Sequence, residues 1–292
     1  MFGPLGDIFE GKHSGTMSLL SGGASLLLTI LNQVNPDQLK EIQPKVVRLL
    51  HRLAINKECP SNYVYYHNPN PWLQMKLYKA LQLWSPPEDK GTLSLVSEIV
   101  TKVLKKTDAS EVLNKNNIEY GLLFEVINVI IHYDTNLDKK LMTIVTDILV
   151  MFICSSRANF RYLGLESMCR LAVRHNLADH LKKILVNLDH TDVSIRKRAL
   201  DLLYLICNRN NVSEIVNQLL GYLENRVDPH LHDDLVLKIA ILGERFAENL
   251  IWYVDVVVRL IQSAEVENDI WYRIIQIITG TFRFIQDLDN PM

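Results

Sequence analysis

The chain has 292 residues, 48% apolar and 22% charged, with 31 basic against 33 acidic side chains and a formal charge of −2. That balance argues against a whole-chain electrostatic grip on nucleic acid or anionic lipid and leaves room only for a local basic patch. Glycine (12) and proline (10) are sparse for the length, as expected of a chain made mostly of helix.

Residues 1–16 are glycine-rich and weakly periodic, and are set apart as a divergent or poorly ordered start: a partial helix, then a turn at 12–15. A helix over 18–34 is stopped by Asn35-Pro36. The next, over 36–55, carries Leu39, Ile42, Val46, Leu49, Leu50 and Leu53. Residues 56–71 are the longest irregular stretch, with Tyr63, Tyr65, Tyr66 and His67 between prolines, and hold one short extended segment at most. Pro71 opens a helix over 72–84, a position that tolerates proline. After the turn at 85–89, helices are predicted over 92–105, 118–132 and 136–152, with a polar link at 106–116.

The stretch 159–172 reads as one helix whose buried face is Phe160, Leu163, Met168 and Leu171. The same pattern returns 35 residues later. Ile195 falls on Phe160, Arg196 on Arg161, Ala199 on Gly164 and Leu203 on Met168. Ile195, Ala199, Leu202, Leu203 and Ile206 form one stripe, and Gly164 and Ala199 are small enough for close helix approach. A shift of this size with helical periodicity inside it marks a helical-hairpin solenoid. The first helix of the following hairpin is predicted over 177–188. Asp192 or Ser194 caps 195–206, and Asn211 with Glu214 has capping-box spacing ahead of the next helix. Helices over 231–246, 252–263 and 270–279 complete the set. Second helices therefore start near Leu73, Ile118, Phe160, Ile195, Leu231 and Ile270. Their spacing varies as in HEAT or armadillo repeats, rather than the stricter ankyrin or tetratricopeptide periods.

The predicted fold class is all-α: a right-handed alpha-alpha superhelix of helical hairpins over 17–286, with a tail at 287–292. Twelve to fourteen helices are expected, since each of the six second helices needs a partner. No polar capping repeat closes either end, so a piece of a longer trunk is expected. No apolar run reaches the ~18 residues of a membrane span. Cys154, Cys169 and Cys207 lie in apolar helical stretches and are expected in the core. With no C-x-x-C pair and no signal peptide, they point to a reducing cytosol.

No enzyme is expected. Gly6-Asp7-Ile8-Phe9-Glu10-Gly11-Lys12-His13 has phosphate-loop spacing, but His13 stands where Ser or Thr must hold magnesium, and no strand precedes it. No nucleophile elbow, zinc-binding helix or dinucleotide loop occurs. His230 and His232 would point about 200° apart on a helix and would not share a metal. Arg196-Lys197-Arg198 is the densest basic run and the candidate basic patch. Trp252-Tyr253 and Trp271-Tyr272 are expected between repeats with their polar tips in water.

These residues carry a resemblance. NFRYLGLESMCRLA at 159–172, DVSIRKRALDLLYLIC at 192–207, Trp252-Tyr253-Val254-Asp255 and WYRIIQI at 271–277 resemble the large-subunit trunk of clathrin adaptors, the adaptins. Pro71-Trp72-Leu73, Pro86-Pro87-Glu88-Asp89, Leu123-Phe124-Glu125-Val126-Ile127 and Ile130-Ile131-His132 follow the same family in the same order. The LESMC run and both tryptophan-tyrosine blocks favour the alpha type. The alternatives are a gamma-type adaptin of the Golgi and endosomal adaptor, or an unrelated HEAT-repeat scaffold such as a nuclear transport receptor.

The resemblance implies a scaffold in clathrin-mediated endocytosis. Its partners would be a beta-type adaptin and the medium mu and small sigma subunits, and the full-length relative would meet the clathrin coat and a phosphoinositide membrane. It would be cytoplasmic and peripheral on the plasma membrane at coated pits, with no cofactor. The family's lipid-binding lysines match no position here. Second helices usually line the concave side of such solenoids, so Arg161, Arg196 and His232 are the candidate partner-facing residues.

Overall fold

The computed structural model describes residues 3–10, 17–105, 113–226, 228–247, 249–263 and 268–289. They contain fourteen α-helices and one two-stranded sheet. The predicted turn at 12–15 and most of the polar link lie outside the described residues. The chain divides into two compact units, Met1–Ile148 and Leu149–Met292.

The first unit holds α1 (Gly3–Glu10), α2 (Met17–Gln33), α3 (Gln43–Ala54), α4 (Pro71–Leu81), α5 (Lys90–Lys105), α6 (Leu113–Tyr133) and most of α7 (Lys139–Ile153). Helix α2 packs on α4 and α4 on α6, while α3 packs on α5. This is the two-layer order of stacked hairpins. Helix α1 joins it, with Leu5 and Phe9 buried, and packs against α2 and α3. The core runs through Leu27, Leu50, Leu73, Leu77 and Trp84. The indole Nε1 of Trp84 donates to the Pro36 carbonyl at 3.2 Å. Buried Gln43 donates to the Ser85 carbonyl at 2.8 Å.

The predicted helix over 36–55 is two elements: a 3-10 stretch, Pro36–Ile42, runs into α3. Pro44 is the cause, because it has no N–H to give the Lys40 carbonyl, which accepts from the Gln43 N–H instead. The irregular stretch holds β1 (Val64–Tyr65) and β2 (Asn68–Pro69), paired antiparallel with Val64 opposite Pro69. Tyr66 and His67, at φ 44° and 62°, make the tight turn between them. Thus two very short strands stand where one extended segment was expected.

Asn70, also left-handed at φ 35°, caps α4 by accepting from the Leu73 N–H at 3.3 Å. Asn70→Ala removes the cap and keeps the strained backbone. It is expected to cost about 1–2 kcal/mol in urea unfolding, and Asn70→Gly clearly less.

The second unit holds the end of α7 with α8 (Ala158–Ala172), α9 (Leu181–Leu185), α10 (Val193–Ile206), α11 (Val212–Asn225), α12 (His232–Phe246), α13 (Leu250–Ser263) and α14 (Asn268–Asp289). Here α8 packs on α10 and α10 on α12, with α11 on α13 as the other layer. Both units have the stacked-hairpin build of an all-α helical solenoid. Ile195, Ala199, Leu202, Leu203 and Ile206 are all buried as predicted. Asp192 caps α10, accepting from the Ser194 N–H at 2.8 Å.

Four local expectations are corrected. Leu163 is 40% exposed, because the buried stripe of α8 runs through Gly164, Leu165, Met168 and Leu171. The helix predicted over 177–188 is broken into 3-10, α9 and 3-10 pieces. Buried Asn187 donates its side-chain amide to the Lys183 carbonyl at 2.9 Å, taking the acceptor that an α-helix would use. Asn211 makes no capping bond to α11. Its side chain turns back, accepting from the Asn208 N–H and donating to the Ile206 carbonyl. Of the paired aromatics only Tyr253 is buried, and Tyr272 is 69% exposed.

Candidate interaction surface

Arg161 and Arg196, aligned in sequence, do the same work in the second unit. Each leaves the start of its helix and holds the loops beside it. Arg161 donates from Nε to the Ser155 carbonyl at 2.9 Å and from Nη1 to Asn187 Oδ1 at 3.1 Å. Arg196 donates from Nε to Asp228 Oδ2 at 2.8 Å and from Nη1 to the carbonyls of His190 and Thr191. The Arg196 and Asp228 side chains are only 12% and 9% exposed. Asp228 also accepts from the Tyr222 hydroxyl at 3.0 Å and from the His230 N–H. Burial pushes the Asp228 carboxyl up, but the bonds from Arg196, Tyr222 and His230, with the Arg196 charge, hold it below the usual aspartate value. His232 does not join this set: it sits at the start of α12 beside Asp233, 3.0 Å away.

The basic run does not gather into one surface. Arg196 turns to Asp228, Lys197 lies 3.8 Å from Asp234, and Arg198 lies 2.9 Å from Glu166. Arg198 also reaches Asp201 and the Tyr162 hydroxyl.

Further ties between neighbouring helices were not read from the sequence. Lys238 donates to Asp201 at 2.6 Å, Arg259 to Glu224 at 3.0 Å, and Arg273 to Glu244 at 2.6 Å. Spacings of 37, 35 and 29 positions follow the repeat period, and that period is the only sequence signal they leave. Pairs at a solvated surface of this kind contribute about 0–1 kcal/mol each. Their effect on the surface is larger, because they leave its charges mutually neutralised. Exposed apolar side chains stand on the α8, α10 and α12 layer: Leu163 on α8, Leu205 on α10, and Leu237 and Ile241 on α12. Such a surface suits contact with another protein.

The cysteines divide by depth. Cys169 and Cys207 are buried as expected, and burial pushes their thiols up to about 12 and about 11. Cys154 is exposed, contrary to the core expectation, because it follows the last residue of α7. A thiol reagent at pH 8 is expected to modify Cys154 in the native chain and to reach Cys169 and Cys207 only on unfolding. Peptide mapping after timed labelling measures this.

Among the described residues no group of three or more metal-ligating side chains forms, and no helix is long and apolar enough to cross a membrane. The stacked hairpins, neutralised ties and apolar outer positions define a helical-repeat scaffold. Its fold is shared with a crystal structure of an engineered protein from the Northeast Structural Genomics Consortium, at TM-score 0.51 and 12% identity, over 82% of this chain and 97% of that one.

The family model described as the adaptin N terminal region matches residues 8–282, and the chain belongs to that family. It is similar to the AP-2 complex subunit alpha-1 of Arabidopsis thaliana, 39% identical over 270 residues, and to the AP-2 complex subunit alpha-2 of Dictyostelium discoideum, 40% identical over 271. Each match covers 90% of this chain but 26% and 27% of the relative, so the chain spans about a quarter of the curated relatives' length.

Proposed function

We propose that the chain is scaffold from an alpha-type large subunit of a clathrin adaptor, serving cargo selection and vesicle formation in endocytosis through protein contacts and without catalysis. The observation that carries this is the collinear similarity to AP-2 alpha subunits over 90% of the chain. It favours the alpha type over the gamma type and over a nuclear transport scaffold. The partners are a beta-type adaptin and the mu and sigma subunits, at coated pits on the cytoplasmic side of the plasma membrane. The contact surface is the outer side of α8, α10 and α12, centred on Leu163, Leu205, Leu237 and Ile241. Arg161 and Arg196 support it from within, and His232 lies at its edge.

Co-expression with the sigma and beta subunits tests the reading. The chain, extended to a full alpha-type trunk, is expected to co-purify with them. The pair Leu205→Arg and Leu237→Arg should abolish this while leaving the circular dichroism unchanged. Failure of the unaltered trunk to co-purify would sink the adaptor reading, and indifference to the double variant would sink only this surface. The chain alone is expected to bind phosphoinositide vesicles weakly, because Arg196, Lys197 and Arg198 each face a carboxylate. Vesicle sedimentation at physiological salt measures this, and strong binding lost on replacing those three residues would reverse it.

A further inference from the structure

The first unit contains a cavity of about 270 Å³. Its wall comes from α3, the β1–β2 hairpin, α4, α5 and α6. Buried Leu122 and Leu123 form its depth with Val103 and Ala54. Its mouth carries exposed Lys57, His67 and Lys102, while half-buried Glu119, with one carboxylate oxygen enclosed, brings the single acidic group of the lining. An apolar hollow with a few polar groups converging on it is the ordinary form of a small-ligand site, and this one falls just below the ~300–1,000 Å³ of drug-sized pockets.

Two side-chain amides of the wall are engaged. Gln74 donates to the Pro69 carbonyl and Asn68 to the Tyr66 carbonyl. The cations are not all used in this way. Lys102 gives one of its three donors to the Ile55 carbonyl, and the Lys57 and His67 side chains have no hydrogen-bond or ion-pair partner among the described residues. Lys57 and His67 also sit at φ 58° and 62°, where glycine is the unstrained choice. A basic side chain stands at both positions, and both line this mouth.

We propose that the cavity binds a small organic anion with an apolar body, of the class of a medium-chain monocarboxylate. The alkyl chain lies on Leu122, Leu123 and Val103, and the carboxylate meets Lys57, Lys102 and His67. The site shares no residue with the proposed partner surface, and failure of the adaptor reading leaves it untouched.

Octanoate is the probe, titrated into the full chain by NMR beside octanol and octylamine. Octanoate is expected to saturate a single site, with the other two about tenfold weaker or worse. The double variant Lys57→Gly and His67→Gly relaxes two left-handed residues, so its stability should hold or rise while octanoate affinity falls about tenfold. Ala54→Phe, which fills the hollow, should abolish binding. The proposal is overturned if octanoate fails to bind, if octanol binds as well, or if the glycine variant binds unchanged. It is equally overturned if only the peptide Glu-Glu-Leu-Glu-Glu binds, which would make the site a protein contact.

Discussion

Gly164→Val is expected to lower stability by about 3 kcal/mol, seen as an earlier urea midpoint. A β-carbon at Gly164 would stand 2.9 Å from Phe152 Cβ, 3.2 Å from Ile153 Cγ2 and 3.3 Å from the Ile153 backbone nitrogen. Phe152 and Ile153 are themselves buried at the end of α7. A backbone nitrogen cannot rotate aside, so relief requires moving α7 or α8. Alanine gains about 1 kcal/mol of helix propensity over glycine, which offsets part of the clash, and Gly164→Ala should cost only about 1–2 kcal/mol. Valine adds two stiff γ-carbons in the same place. Gly221, inside α11, has nothing within 4 Å of its missing β-carbon. Gly221→Ala should therefore raise stability by up to about 1 kcal/mol. If Gly164→Ala raised the midpoint as Gly221→Ala should, close approach at Gly164 would be refuted.

Arg196→Met is expected to cost about 3 kcal/mol, because it leaves the Asp228 carboxylate largely enclosed without its cation. Two loop carbonyls, of His190 and Thr191, lose their donor as well. Arg198→Met is the comparison: its guanidinium is more exposed and its partners lie nearer solvent, so the loss there should stay below about 1 kcal/mol. The Arg196 effect carries a pH signature. The folded-state pKa of Asp228 is depressed, so its contribution is complete above the ordinary aspartate value of about 3.9 and is lost as pH falls through the lower folded value. The gap between wild type and Arg196→Met should therefore narrow below about pH 4. A gap of constant size down to acid unfolding would show that Arg196 acts through packing alone.

The stacked-hairpin class was legible because α10 repeats the spacing of α8, and the stripe from Ile195 to Ile206 is buried throughout. The fault in α8 came from the residue that makes its packing tight. Gly164 has no apolar side chain to mark the stripe, so the periodicity runs through Leu163 instead. The break around α9 was hidden in Asn187, whose amide competes with the backbone only once it is buried. Arg161 and Arg196 were found by alignment, but their inward course was not. Asn187 lies 26 positions from the first and Asp228 32 from the second, across a fold that periodicity alone does not measure. The mouth of the cavity rests on left-handed Lys57 and His67, which no propensity scale anticipates.

The ties of the second unit have an evolutionary consequence. Lys238 answers Asp201, Arg259 answers Glu224 and Arg273 answers Glu244, each within about one repeat. A joint that depends only on its neighbours can drift as a module, with a lost lysine matched by a change one hairpin away. Lengthening a connection adds little closure entropy, roughly 0.6 kcal/mol per doubling, and disturbs only the hairpins on either side. The segments between helices are therefore where such a chain can take up new sequence and new recognition while its stacking grammar stays intact.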